Sequence, residues 1–305
     1  MSYMRYRLLG STGIKVSEIG MGCWAIGGNQ FGNSYGPTDD EEAILAIRRA
    51  VDLGCNFFDT ADVYGHGHSE ELLGQGLKHV RNDVAIATKV GGNFYGSYPR
   101  ADFSEKYLFF AVEKSLERLQ TDIIDLYQLH NPPIEMIQQG DIFSPLEKLR
   151  KEGKIRFYGI SVHEPLEGLV AMEVAQPAAI QVVYNVLRHE AENGLFPKAK
   201  EKGVGIIARE PLSNGFLTGK YNLNQTFVSG DIRHDWPKEY VAQIIQAVER
   251  WKREEKNRGE SLTQSALRFI LANEAVSCVI PGAKSVKQVE ENLSTSEVPL
   301  TRSQK

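Results

Sequence analysis

The chain has 305 residues, more than a small domain needs and enough for eight strand-helix units with modest insertions in one domain spanning 1–305. Hydrophobic residues make up 42% and charged residues 24%, a balance that excludes a disordered polymer and supplies side chains for a large core. The formal net charge of −4 gives no broad basic field, which argues against nucleic acid and anionic membrane as partners, although a local basic pocket can still hold a phosphate.

Residues 1–10 set Arg5 and Arg7 among tyrosines and leucines without a signal-like apolar core, and no later run is long enough for a membrane span. Cys23, Cys55 and Cys278 are too widely spaced for a metal knuckle or a redox pair. A soluble cytoplasmic protein is expected. Residues 6–16 hold a Ser11-Thr12-Gly13 turn between apolar runs and predict a hairpin across the bottom of a barrel. Strand-like runs follow at 19–22, 56–59, 84–89, 123–129, 155–161, 179–183, 204–208 and 277–280, with helical patterns between them. The stretch 40–53 repeats Ala43, Ile44, Ile47, Ala50 and Val51 at helical spacing behind a Thr38-Asp39 cap, and 104–119 repeats Leu108, Val112, Leu116 and Leu119 behind Ser104. Eight strands alternating with eight helices predict a (β/α)8 barrel of the triosephosphate isomerase type. Residues 25–37, 91–103, 131–141 and 214–236 read as long loops after strands, and so at one end of that barrel. The polar tail after Val298 reads as loose.

A barrel of this type carries its chemistry where strands end, so the polar residues that terminate apolar runs are the candidates. Asp59 ends Phe57-Phe58-Asp59, Lys89 ends Ala87-Thr88-Lys89 and His130 ends Gln128-Leu129-His130, on consecutive strands, with Tyr64 five residues beyond Asp59. A carbonyl that accepts hydride develops negative charge on oxygen and needs a proton donor with fixed positive charge close by. Tyr64 fits the donor, Lys89 the cation that lowers the phenol's pKa, Asp59 the carboxylate that holds Lys89, and His130 a hydrogen-bond donor to the substrate oxygen. His163, His189 and Glu190 lack ligand spacing, and no metal site is expected.

These segments, with Asp59-Thr60-Ala61-Asp62-Val63-Tyr64 at their centre, resemble the catalytic tetrad of the aldo-keto reductase superfamily, and the resemblance runs from the opening hairpin through Gly20-Met21-Gly22-Cys23-Trp24 to Ile280-Pro281-Gly282-Ala283. It implies a (β/α)8 barrel and an NADP(H)-dependent oxidoreductase of the alcohol dehydrogenase or carbonyl reductase type. It implies a cofactor laid across the strand ends, and no strand here leads into a complete Gly-x-Gly-x-x-Gly turn. By the same resemblance Ser161 and Gln181 bind the nicotinamide carboxamide, and Gly22, Cys23, Trp24 and Asp59 are further candidates for cofactor binding. Arg209 stands where many relatives stack an aromatic ring, and Val162 where many have Asn or Arg. Leu212, Asn214, Gly215 and Lys220 correspond to the loop that wraps the pyrophosphate, and Glu210 and Pro211 are further candidates for cofactor binding. Gly282, Lys284, Gln288, Glu291 and Asn292 correspond to the adenosine end, where Lys284 and Arg233 can meet a 2′-phosphate. Gln288 in place of a common Arg resembles the branch of potassium-channel β subunits and bacterial oxidoreductases, and NADP(H) is expected in preference to NAD(H).

Trp24, Tyr64 and His130 are the expected substrate contacts. Phe31, Tyr35, Phe94, Tyr95, Tyr98 and Trp236 are candidates, with Trp24, for an apolar mouth. The short tail implies that the long carboxyl-terminal loop of steroid-reducing relatives is absent or reduced, leaving a pocket open to small aldehydes, ketones or sugars. Two other readings are a cofactor-binding regulatory subunit with slow catalysis, and an aldolase in which Lys89 forms a Schiff base.

Overall fold

The computed structural model describes residues 4–31, 34–96, 98–255 and 260–297, so the expected loose tail after Val298 lies outside the described residues. The chain opens with β1 (Tyr6–Leu8) paired antiparallel to β2 (Lys15–Ser17), Tyr6 opposite Ser17. The strands β3 (Met21–Gly22), β4 (Phe57–Asp59) and β5 (Ala85–Val90) follow. A small antiparallel pair, β6 (Gly92–Asn93) and β7 (Arg100–Ala101), interrupts the segment read as a loop. Then come β8 (Ile124–His130), β9 (Ile155–Ser161), β10 (Ala179–Val183), β11 (Gly205–Arg209) and β12 (Val276–Val279).

Among the described residues, eight of these strands form one parallel sheet in the order β12-β11-β10-β9-β8-β5-β4-β3. Parallel bridges of Ile19 with Val279 and of Gly22 with Gly282 join its first and last strands and close the barrel. The first strand is regular only at Met21–Gly22, and Ile280 falls just outside the last.

Ten helices are present among the described residues, two more than the eightfold reading. They are α1 (Asp40–Asp52), α2 (His68–Leu77), α3 (Glu105–Leu119), α4 (Ile134–Gln139), α5 (Ser144–Lys151), α6 (Pro165–Val174), α7 (Leu195–Lys202), α8 (Lys238–Glu255), α9 (Leu262–Leu271) and α10 (Val286–Ser294). The extra pair are α4, inside the stretch read as loop 131–141, and α8. The capped helices form where local chemistry dictates: Asp39 accepts from Glu42 N–H at 2.8 Å and Ser104 from Tyr107 N–H at 3.3 Å, each satisfying a donor the first helical turn leaves open. Ala43, Ile47 and Ala50 of α1 and Leu108, Val112 and Leu119 of α3 bury the expected faces. Among the described residues no helix is long and apolar enough to cross a membrane.

Strand alternation builds the barrel's interior. Phe57, Ala85, Ala87, Leu126, Ala179, Ile207 and Cys278 pack inside with Leu9 and Val16 of the hairpin, which plugs the bottom as expected. Burying a leucine such as Leu9 contributes about 1.5–3 kcal/mol. Phe58, Ile86, Tyr127, Leu129, Ile160 and Val182 point outward beneath the helices. Two residues beyond the inward apolar layer, the same alternation places Asp59, Lys89, Gln128, Gln181 and Arg209 at the barrel mouth.

Candidate active site

The inward polar layer is one hydrogen-bonded unit. Lys89 is fully buried, and its three ammonium protons go to Asp59 Oδ1 at 2.5 Å, Thr60 O at 2.8 Å and Tyr64 Oη at 3.2 Å. The other Asp59 oxygen accepts from Gln128 Nε2 at 3.0 Å and Gln181 Nε2 at 2.7 Å. A buried ion pair persists only when its remaining polar atoms are satisfied, and these two glutamines do that for Asp59. Because Tyr64 Oη accepts from Lys89, the phenol's own proton is left to donate into the cleft. Tyr64 reaches this place through a tight turn, in which Gly65 has φ +62° and meets the Gly27 carbonyl so closely that no Cβ fits. The Tyr64 ring stands edge-on to His130, 5.8 Å between centroids, and 6.2 Å from Trp24.

Electrostatics separate the roles these groups can play. Burial works against the Lys89 charge, but Asp59 and Tyr64 outweigh it and hold its pKa above the ordinary lysine value. A lysine that keeps all three protons has no lone pair for a carbonyl carbon, which argues against the Schiff-base reading. Burial raises the Tyr64 phenol, Lys89 pulls it back and Asp59 raises it again, so the net direction is upward. Lys89 lowers it as expected, but burial is the larger effect and sets the net direction. Burial drives His130 well below the usual imidazole value, with Lys89 and Arg209 adding to the shift, so it is neutral at neutral pH.

The mouth opens into a cleft of about 740 Å³, a size that accommodates a dinucleotide. Tyr64, His130, Trp24, Asp59, Ser161, Gln181 and Arg209 line it, together with Gly22, Cys23, Glu210, Pro211, Leu212, Asn214, Gly215 and Lys220. Arg233, Gly282, Lys284, Gln288, Glu291 and Asn292 line it as well. Lys89 stands behind this surface. Tyr35, expected in the aromatic mouth, also contributes, as do Asn131, Tyr221, Ser285 and Lys287, which the sequence did not single out. Asn131 carried a readable signal, an asparagine directly after a strand end that tolerates its φ of +54°. It accepts the Ser161 hydroxyl at 2.9 Å, making the two residues one polar patch.

Several of these side chains have partners that the sequence did not foretell. Gln181 gives its amide nitrogen to Asp59 and Gln128. Arg233 is paired with Asp231, donates to Asn214 O at 2.8 Å and Tyr221 Oη at 2.7 Å, and stacks over Phe227 at 4.4 Å. The Lys284 ammonium donates to the carbonyls of Tyr35, Gly36 and Pro37. Arg209 pairs with Glu210 and donates to the Val162 carbonyl at 3.0 Å, so the two departures from the family pattern meet. Of the aromatic mouth, only Trp24 and Tyr35 line the cleft. Phe31, Phe94 and Tyr95 form a stack with His66, Trp236 packs on Phe216 and Tyr240, and Tyr98 is exposed.

The donor set at the α10 end fits a phosphorylated ligand. Ser285 caps the helix, and Lys220, Lys284 and Lys287 line the cleft around its amino terminus, which favours anions.

A model of the aldo/keto reductase family matches residues 18–305. The chain is 34% identical over 304 residues to L-galactose dehydrogenase of Arabidopsis thaliana, covering 96% of this chain and 88% of that one. It is 29% identical to a probable voltage-gated potassium channel subunit beta of Arabidopsis thaliana, covering 97% and 92% of the two chains. Its fold is similar to the glycerol dehydrogenase of Gluconobacter oxydans, with a TM-score of 0.84, 31% identity and coverage of 98% and 92%. Closed barrel, polar mouth and a match along nearly all its length agree: the chain belongs to the aldo/keto reductase family of oxidoreductases.

Proposed function

We propose that the protein is an NADP(H)-dependent reductase of small aldehydes, ketones or sugar carbonyls, and oxidises the matching alcohols in reverse. The observation that carries the reading is the Lys89 to Tyr64 hydrogen bond, which aims the phenol proton into the cleft. Bound nicotinamide supplies or accepts the hydride. Tyr64 donates the proton to the substrate oxygen, Lys89 supplies positive charge as negative charge grows there, and Asp59 keeps Lys89 in register. His130, held neutral, orients the carbonyl by hydrogen bonding, beside the indole of Trp24. Ser161, Asn131 and Gln181 would hold the carboxamide, Arg209 would offer a guanidinium plane for the ring, and the 210–220 segment would offer backbone amides and Lys220 to the diphosphate. A polyhydroxylated substrate is supported by the similarity to L-galactose and glycerol dehydrogenases. The regulatory-subunit reading draws on the channel-subunit relative, but the four polar groups needed for turnover are all in contact here.

The preference for NADP(H) rests on Lys287, exposed at the start of α10, with Lys284 and Arg233 lining the same cleft. Fluorescence titration is expected to give a Kd for NADPH at least roughly tenfold below that for NADH, and Lys287→Met to remove about 1.4 kcal/mol of that difference. Turnover of 4-nitrobenzaldehyde should accompany binding. Equal affinities would remove the NADP(H) assignment, and tight binding without turnover would favour the regulatory reading.

A further inference from the structure

Behind the strand ends, on the face of the sheet away from the cleft, lies a second polar cluster. Thr88 and Tyr127 point there from β5 and β8, by the alternation that turns Lys89 and Gln128 inward. Glu70 of α2 is fully buried and uses both oxygens: Oε1 accepts the Thr88 hydroxyl at 2.6 Å, and Oε2 meets Arg118 Nε and Nη2 at 2.7 Å each. The remaining arm of Arg118, on α3, donates to Tyr95 Oη at 2.7 Å.

The Arg118 side chain lies over the turn that follows Tyr64. Gly67 has φ +98°, and a Cβ there would stand 2.5 Å from Arg118 Cδ and 2.6 Å from Nε. The His66 ring of the same turn is stacked between Phe31 at 3.8 Å and Phe94 at 4.7 Å. Asp62, two residues before Tyr64, is buried in the same cluster. The Tyr107 hydroxyl donates to Gly92 O at 2.9 Å and, at the longer distance of 3.4 Å, to Asp62 Oδ2. Burial and the nearby Glu70 push Asp62 well above the ordinary carboxylate value, against the pull of Arg118 and Tyr107. Arg118 therefore pairs directly with Glu70 and acts on Asp62 only at longer range. None of Asp62, Glu70 or Arg118 lines the cleft.

We propose that Arg118 is a positioning residue for Tyr64: by bridging Glu70 and Tyr95 across Gly67, it braces the turn so that the phenol stays in contact with Lys89. This rests on the reading of Tyr64 as proton donor. Misplacing a reacting group by about 1 Å costs on the order of a hundredfold in rate, and Arg118 does not line the cleft.

The test is Glu70→Gln combined with Arg118→Met, which removes both members of the buried pair together, alongside Arg118→Lys, which keeps a charge for Glu70 but loses the fork that reaches Tyr95. In the double variant kcat should fall roughly 10- to 100-fold while the NADPH Kd stays within about twofold. Arg118→Lys should recover part of that loss. In a Tyr64→Phe background the same changes should have no further effect on residual turnover. A folded variant with wild-type kcat, an equal loss of cofactor affinity, or a loss that persists without the phenol would overturn the proposal. Should the double variant not fold, Arg118→Lys decides alone: kcat below wild type with cofactor affinity kept supports the brace, and unchanged kcat refutes it. Full turnover by Tyr64→Phe itself would instead remove the reading of Tyr64 on which the brace depends.

Discussion

Tyr64→Phe is expected to lower kcat for aldehyde reduction by roughly 10³-fold while leaving cofactor affinity near wild type. The ring stays, so its packing against His130 and Trp24 is kept, and only the hydroxyl that accepts from Lys89 is lost. Lys89 keeps Asp59 and Thr60 O as acceptors, so the fold should lose no more than about 1 kcal/mol. Steady-state kinetics with a parallel NADPH titration separate the two effects. A comparable drop in cofactor affinity would mean that the phenol serves binding rather than proton transfer.

Lys89→Met should be more damaging, because two functions are lost at once. The proton donor loses its neighbouring cation, and Asp59 is left as a buried charge with only the two glutamines to satisfy it. Removing one partner of a buried pair costs about 3–5 kcal/mol, so the urea midpoint should fall clearly and turnover should be undetectable. Adding Asp59→Asn removes the uncompensated carboxylate and should restore much of the stability without restoring turnover. Recovery of both together would show that Lys89 acts only as structural support.

Much of this site was readable because strand alternation is a strict local rule. Once Phe57, Ala87, Leu126 and Ala179 are taken as inward, Asp59, Lys89, Gln128 and Gln181 must share the mouth. The caps at Asp39 and Ser104 were readable for a similar reason, since donor and acceptor lie within one turn. What escaped depends on distant partners. Helix α8 buries Val241, Ile245 and Val248 against Phe216 and Leu217 of the loop after β11 rather than against the sheet, so an eightfold count has no place for it. Helix α4 is six residues long with Ile137 as its buried side chain, too short for a periodic signal. The stack of Phe31, His66 and Phe94 draws on three loops whose paths no local pattern fixes, and so the expected aromatic mouth became a brace. The ion pair of Arg118 with Glu70 spans 48 positions and carries no spacing signal.

The most direct test of hydride transfer in this cleft uses NADPH deuterated at the reactive carbon of the nicotinamide, with the wild-type protein and a small aldehyde. The expected result is one deuterium at the former carbonyl carbon of the alcohol for each NADPH consumed. Alcohol without deuterium from either face of the labelled cofactor, or cofactor bound with no alcohol formed, would contradict it.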